Sequence, residues 1–245
     1  MIRYSFLAAA LLVGVAAVQA QAQRQGLPSI GPGTANPSAI VAAELGLARL
    51  VREKGQWTAF RETAEKDAVL FMPSVLNAPS WLKQQTDPAE PMRWSPQSVF
   101  IACDGSYAAA TGPVERADGS RGSFVTIWRQ QRKGDYKWVV TFAGDTPPPP
   151  PRLEGAINAT VATCPPAKVL MTDREWREER KRERRRPDVV RIPDPPPANG
   201  SGQSPDGTLR WSWTQNGSTR AINVMLRRPD GEERVISETA SMTAP

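Results

Sequence analysis

Two neighbouring strands, apolar on both faces and followed at once by five prolines, constrain this chain most. They lie in RGSFVTIWRQQRKGDYKWVVTFAGDTPPPPP, residues 121–151. Phe124 and Trp128 fall on one face of the first strand, Val125 and Ile127 on the other. A turn around Lys133-Gly134-Asp135 leads into a return strand whose Tyr136, Trp138, Val140 and Phe142 share a face. A flat sheet with one side in water alternates apolar and polar residues, and this hairpin does not. A curved sheet with helices on one side fits it. Pro147–Pro151 can enter neither a helix nor a central strand, so the sheet must end there in an extended polyproline segment.

Composition divides the 245 residues the same way. Thirteen of the 24 prolines lie between Pro147 and Pro205, which marks a weakly folding region. The chain opens MIRYSFLAAALLVGVAAVQAQAQ. Arg3 supplies a positive start, Phe6–Val18 an apolar run, and Val18-Gln19-Ala20 and Ala20-Gln21-Ala22 small-residue cleavage sites. The run is short for a membrane span, which needs about 20 apolar residues. Residues 1–22 therefore read as a cleaved, bacterial-type export signal, and the protein as periplasmic or secreted. In an oxidising space Cys103 and Cys164 suggest one bridge, closing a loop worth roughly 4 kcal/mol. Two separate buried thiols are the alternative, since spacing proves no contact.

Residues 23–37 read as a flexible lead. From Ser38, a good N-cap, to Lys54, apolar residues recur at Ile40, Ala43, Leu47, Leu50 and Val51, one stripe of a helix ended by Gly55. A second short helix carries Trp57, Phe60 and Ala64. The period then changes to strands at Asp67–Met72, Ser98–Cys103 and Tyr107–Thr111, with a helical turn bearing Trp81 between the first two. Residues 148–206 read as a Pro-rich, Arg-rich linker. Within it DREWREERKRERRR, residues 173–186, holds eight basic and five acidic side chains. From 207 to 245, Leu209, Trp211 and Trp213 alternate with polar residues, Asn216-Gly217 is a hairpin dipeptide, and Ile222, Val224 and Leu226 alternate in turn. This reads as a three-stranded meander, too small to stand alone and so docked on the main domain.

Histidine is absent. That removes the usual Ser-His-Asp and Cys-His nucleophile pairs and the commonest metal ligand. No cysteine cluster has zinc spacing and no Gly-rich phosphate loop follows a strand, so neither metal nor cofactor is expected. An exported protein meets no genomic DNA, which argues against a nucleic-acid partner.

Two stretches, GQWTAFRETAEKDAVLFMPSVLNAPSWL (55–82) and GSFVTIWRQQRKGDYKWVVTFAGDTP (122–147), make residues 38–147 resemble the nuclear transport factor 2-like, or SnoaL-like, superfamily. The resemblance implies an α+β domain in which N-terminal helices pack on a strongly bent antiparallel sheet, forming a cone with an apolar pocket. Trp57, Phe60, Met72, Trp81, Trp128 and Trp138 are then pocket candidates, with plain core filling as the alternative. The helix-borne tyrosine of the steroid-isomerase relatives has no counterpart within Ser38–Lys54. Asp67 and Asp104, near strand ends, are the carboxylates to weigh as bases, although aspartate is frequent in surface turns. The resemblance also implies sheet-to-sheet homodimers. The leading expectation is binding of a small apolar or amphipathic molecule without catalysis. The rivals are a lyase or isomerase using Asp67 or Asp104, and an envelope module meeting an anionic surface through Arg174–Arg186 and the meander.

Overall fold

A computed structural model describes residues 35–71, 74–149, 156–165, 178, 181 and 196–241. The proposed signal, all but the end of the lead, nearly all of the 173–186 segment, and Met72 lie outside them. The described chain is a mixed α+β structure with few helices, a large curved sheet and a smaller second sheet. Among the described residues no helix is long and apolar enough to cross a membrane.

Helix α1 (Pro37–Lys54) starts one residue before the expected cap, with Asn36 at the N-cap and Pro37 in its first turn, where the missing N–H is not needed. Arg52 and Lys54 occupy its last turn, where cations suit the helix dipole. Gly55, at φ 98°, ends α1 and caps α2 (Gln56–Thr63). Strand β1 (Ala64–Phe71) follows directly, then β2 (Val75–Asn77), the short helix α3 (Ala78–Leu82), β3 (Arg93–Trp94), β4 (Ser98–Ile101), β5 (Tyr107–Glu115), β6 (Arg121–Gln130), β7 (Tyr136–Gly144) and β8 (Asn158–Val161). These strands form one sheet in the order β2-β1-β7-β6-β5-β4-β8, with β3 also paired to β5. The sheet is not wholly antiparallel as expected, because β1 runs parallel to β7 and β8 parallel to β4.

The hairpin's two-faced pattern is explained by two covers. Phe124 and Trp128 join Ile40, Leu47 and Val51 of α1 and Phe60 of α2 in one core. Val125 and Ile127 join a second core on the opposite face, completed by the C-terminal sheet. That sheet has four strands, not three: β9 (Asn199–Gln203), β10 (Leu209–Asn216), β11 (Thr219–Arg228) and β12 (Gly231–Ser241), ordered β12-β11-β10-β9. The region expected to be all linker thus contributes β8 to one sheet and β9 to the other. The alternation in β10 and β11 points Leu209, Trp211, Trp213, Ile222, Val224 and Leu226 at Val69, Phe71, Val140 and Phe142 of the large sheet. This seam buries that face of the large sheet within the chain itself.

One expected face is corrected. Trp138 and Tyr136 pack with the helices, whereas Val140 and Phe142 pack against the C-terminal sheet. The β6–β7 ladder pairs Trp128 with Trp138 but Ile127 with Val140, leaving Val139 over. This bulge adds one residue, and one residue reverses the facing of everything beyond it.

Cys103 and Cys164 are bonded, with 5.1 Å between Cα atoms. Beside the bond two turns clasp each other. The Asp104 N–H donates to Asp206 Oδ2 at 2.9 Å, the Asp206 N–H donates to Asp104 Oδ2 at 3.3 Å, and the Cys103 N–H donates to Thr208 Oγ1 at 2.9 Å.

The second sheet's outer strand depends on glycine. A Cβ at Gly200 or Gly202 would overlap the indole of Trp213 or Trp211 respectively. Gly202→Ala is therefore expected to lower the unfolding free energy by about 1–3 kcal/mol in urea denaturation, the usual cost of overpacking. Unchanged stability would show that the indole is free to move away.

Candidate functional site

The helices and the large sheet leave a hollow between them. Leu47 of α1, Trp57 and Phe60 of α2, Met92, Trp94 of β3, and Val114, Phe124 and Thr126 of the sheet line most of it, and it reaches Phe142 and Ala143 at its far end. Its volume is about 50 Å³, on a scale where one water needs roughly 10–15 Å³. It is partly open, and its walls are mainly apolar.

The segment between α3 and β4 covers one side of this hollow and is tied down at three points. Asp87 accepts from the Trp57 and Thr58 N–H groups at 2.6 and 3.0 Å and from Thr58 Oγ1 at 2.6 Å. Those bonds, the Thr58 hydroxyl first, hold the Asp87 carboxyl below its ordinary pKa, and a carboxylate on these N–H groups caps α2. The Met92 N–H donates to Gln56 Oε1 at 2.8 Å. The third tie is the Trp94 indole, whose N–H donates to Glu44 Oε2 at 3.0 Å.

Glu44 is a buried acid at this site that was not among the expected site residues. It is fully buried on α1, in the same stripe as Ile40, Leu47 and Val51. Its Oε1 accepts from the Trp128 indole at 2.7 Å, and the Thr126 side chain adds a further hydrogen bond. Burial pushes its pKa up from 4.5 to about 7, against the opposing pull of those bonds. Thr126 and Trp94 both line the hollow and both touch Glu44, so a buried titratable group lies one hydrogen bond behind the wall. The available signal was an acid at i+4 and i−3 from Ile40 and Leu47, inside an otherwise apolar stripe.

Of the expected pocket residues, Trp57 and Phe60 line the hollow. Trp81 stands behind them, edge-on to Trp57 with ring centroids 5.0 Å apart. Trp128 reaches Glu44 instead, and the Trp138 indole donates to the Phe60 carbonyl at 3.0 Å. Met72 lies outside the described residues. Trp94, Met92 and Phe124 belong to the lining but were not among the candidates.

Neither Asp67 nor Asp104 is among the residues lining the hollow. Asp104 sits in the clasp with Asp206 and also accepts from Ser106 N and Oγ at 2.9 and 2.6 Å; burial first, and then the neighbouring Asp206 charge, raise its pKa. Asp67 lies on the opposite side of the sheet, in a separate cavity at the seam. Among the described residues no group of three or more acidic or cysteine side chains could hold a metal ion.

No protein-family model matches the chain, and no curated protein matches it. Among solved structures it is similar to a "putative ketosteroid isomerase" from Parabacteroides distasonis, at 15% identity and a TM-score of 0.35, over 46% of this chain and 94% of that one. It is also similar to a "putative aromatic ring hydroxylase" from Novosphingobium aromaticivorans, at 14% identity and a TM-score of 0.34, over 46% and 90%. Likeness this remote carries no argument about what this chain does.

The Glu44 environment fixes a sign for pH dependence. Between about pH 4.5 and 7 the native state keeps a proton that the unfolded chain releases, so this group makes stability fall as pH rises, by about 3 kcal/mol in all. Asp67, Asp104 and Glu238 are raised too, so the test is the difference between wild type and Glu44→Gln. Measured by urea denaturation from pH 5 to 8, wild type should lose stability relative to the variant. A difference that stays constant with pH contradicts the buried, titrating carboxyl.

Proposed function

We propose that the chain is an exported binding protein whose SnoaL-like cone, residues 38–147, holds a small apolar or amphipathic molecule without transforming it. The observation that carries this reading is the aromatic-walled hollow with Thr126 and Thr141 as its polar lining residues. Apolar walls with a few fixed polar groups are the usual make-up of small-molecule sites. The hollow's size favours a ligand of few atoms, or the end of a longer one entering by the open side. The Cys103–Cys164 bond suits an oxidising compartment such as the periplasm.

Catalysis is the second reading, and one observation favours it. Glu44, with its pKa pushed to about 7, is poised for proton transfer near neutrality. Its two oxygens are engaged by indole N–H groups, which suits a pillar of the core better than a base.

Native mass spectrometry on protein purified from its own compartment should find a small molecule retained. In solution, 1-hexanol should change the tryptophan fluorescence saturably. Val114→Phe, which extends into the hollow from β5, should weaken that response at least about tenfold, the equivalent of about 1.4 kcal/mol. An equal response in the filled variant contradicts binding in the hollow.

A further inference from the structure

The seam between the two sheets holds a second cavity, on the far side of the large sheet from the hollow. Asp67 of β1, Tyr107 of β5, Arg129 of β6 and Val139 of β7 line it from the large sheet; Ser201 and Gln203 of β9 and the Trp211 face line it from the small one. Its volume is about 40 Å³, again room for a few water-sized groups.

Two irregularities converge there. Val139 is the bulge residue of β7. On the other flank, the β1–β7 register jumps from Ala64–Trp138 to Val69–Val140, taking residues 65–68 out of the ladder. Bulges of this kind re-aim side chains and concentrate beside functional sites. Asp67 alternates with Val69 and Phe71, both of which pack in the seam, so it occupies a position that a plain sandwich would fill with an apolar residue.

The hydrogen bonds at this end do not balance. Arg129 lies 3.6 Å from Glu65 Oε1, and both side chains are largely buried. Gln131 Nε2 also donates to Glu65 at 2.6 Å. Asp67 Oδ2 is buried with no hydrogen-bond partner among the described residues. Of the nearby lysines, Lys66 is exposed and Lys137 Nζ donates to the Ala64 carbonyl at 3.4 Å. Glu65 thus takes the largely buried guanidinium of Arg129, and the Asp67 oxygen left without a donor belongs to a side chain that faces the cavity. A buried acceptor without a donor is costly, and a cation supplied from outside removes that cost.

The remaining lining fits the same chemistry. An ammonium carries three donors and no acceptor, and the Asp67 carboxyl is the acceptor that faces this cavity. Tyr107 packs on Trp211 with centroids 5.0 Å apart, placing aromatic rings beside the charge, which attract cations. We propose that this end of the seam is a binding site for the ammonium end of a small primary amine, held on Asp67 and independent of any ligand in the hollow.

The test uses the intact, nitrogen-15-labelled chain at constant ionic strength. It is titrated with n-propylammonium chloride and, separately, with the nearly isosteric n-propanol, each to about 50 mM, a range suited to the weak affinity of so small a ligand. The amine should shift the backbone amides of Asp67, Ser201 and Gln203 saturably, and the alcohol should not. Asp67→Asn should weaken the amine response at least about tenfold, as expected for loss of a charge-assisted hydrogen bond, while the rest of the spectrum stays in place. Equal shifts with amine and alcohol, or no saturable shift with the amine, would overturn the proposal from wild-type protein alone, whatever the variant's stability. An undiminished response in a folded Asp67→Asn variant would overturn it as well.

Discussion

The large sheet has no face to offer water, and the rest of the molecule is arranged around that constraint. One side carries Phe124, Trp128 and Trp138; the other carries Val125, Ile127, Val140 and Phe142. Apolar area on both sides calls for two covers. The helices are one cover. The C-terminal sheet is the other, and it needs a partner in turn, because Leu209, Trp211, Trp213, Ile222, Val224 and Leu226 make its inner face apolar. The seam therefore stabilises both sheets at once, and the disulfide and the Asp104–Asp206 clasp fasten its edge.

The same arrangement separates two kinds of environment. On the helix side the space left over has mainly aromatic and aliphatic walls, with the buried acid Glu44 behind them. That carboxyl joins α1, β3 and β6 through two indoles, so the covering segment, the first helix and the sheet share a single polar node. On the seam side, the break in the β1 and β7 ladders admits Asp67 and Arg129 to an otherwise apolar contact. Each side thus has a small cavity with a perturbed acid beside it. In both cases burial, rather than a neighbouring charge, is the leading cause.

Much of this architecture was legible in the residues. The stripe from Ile40 to Val51, the hairpin at 121–144 and the alternation in 209–226 each announce their element, because side-chain period alone sets which face is apolar. What escaped has physical reasons. Asn199–Gln203 reads as linker because glycine and serine dominate it; yet its glycines are there to let Trp211 and Trp213 lie across the strand. The bulge at Val139 leaves no mark on a run that alternates cleanly from Tyr136 to Phe142, so the second half of β7 was assigned to the wrong face. Trp94 could not be placed in the hollow because β3 is two residues long and is held by pairing with β5 rather than by any pattern of its own. Glu44 was readable as an acid in an apolar stripe, but its indole partners come from positions 50 and 84 residues further on.

Native-state hydrogen exchange on the intact chain tests the shared seam most directly. If the two sheets are one cooperative structure, the amides of Ile127 in β6 and Val224 in β11 exchange through the same global opening, with equal free energies and equal sensitivity to denaturant. Exchange at Val224 through an opening about 2 kcal/mol or more below that of Ile127 would mean that the C-terminal sheet comes away while the large sheet stays folded, and would contradict the dependence of each sheet on the other.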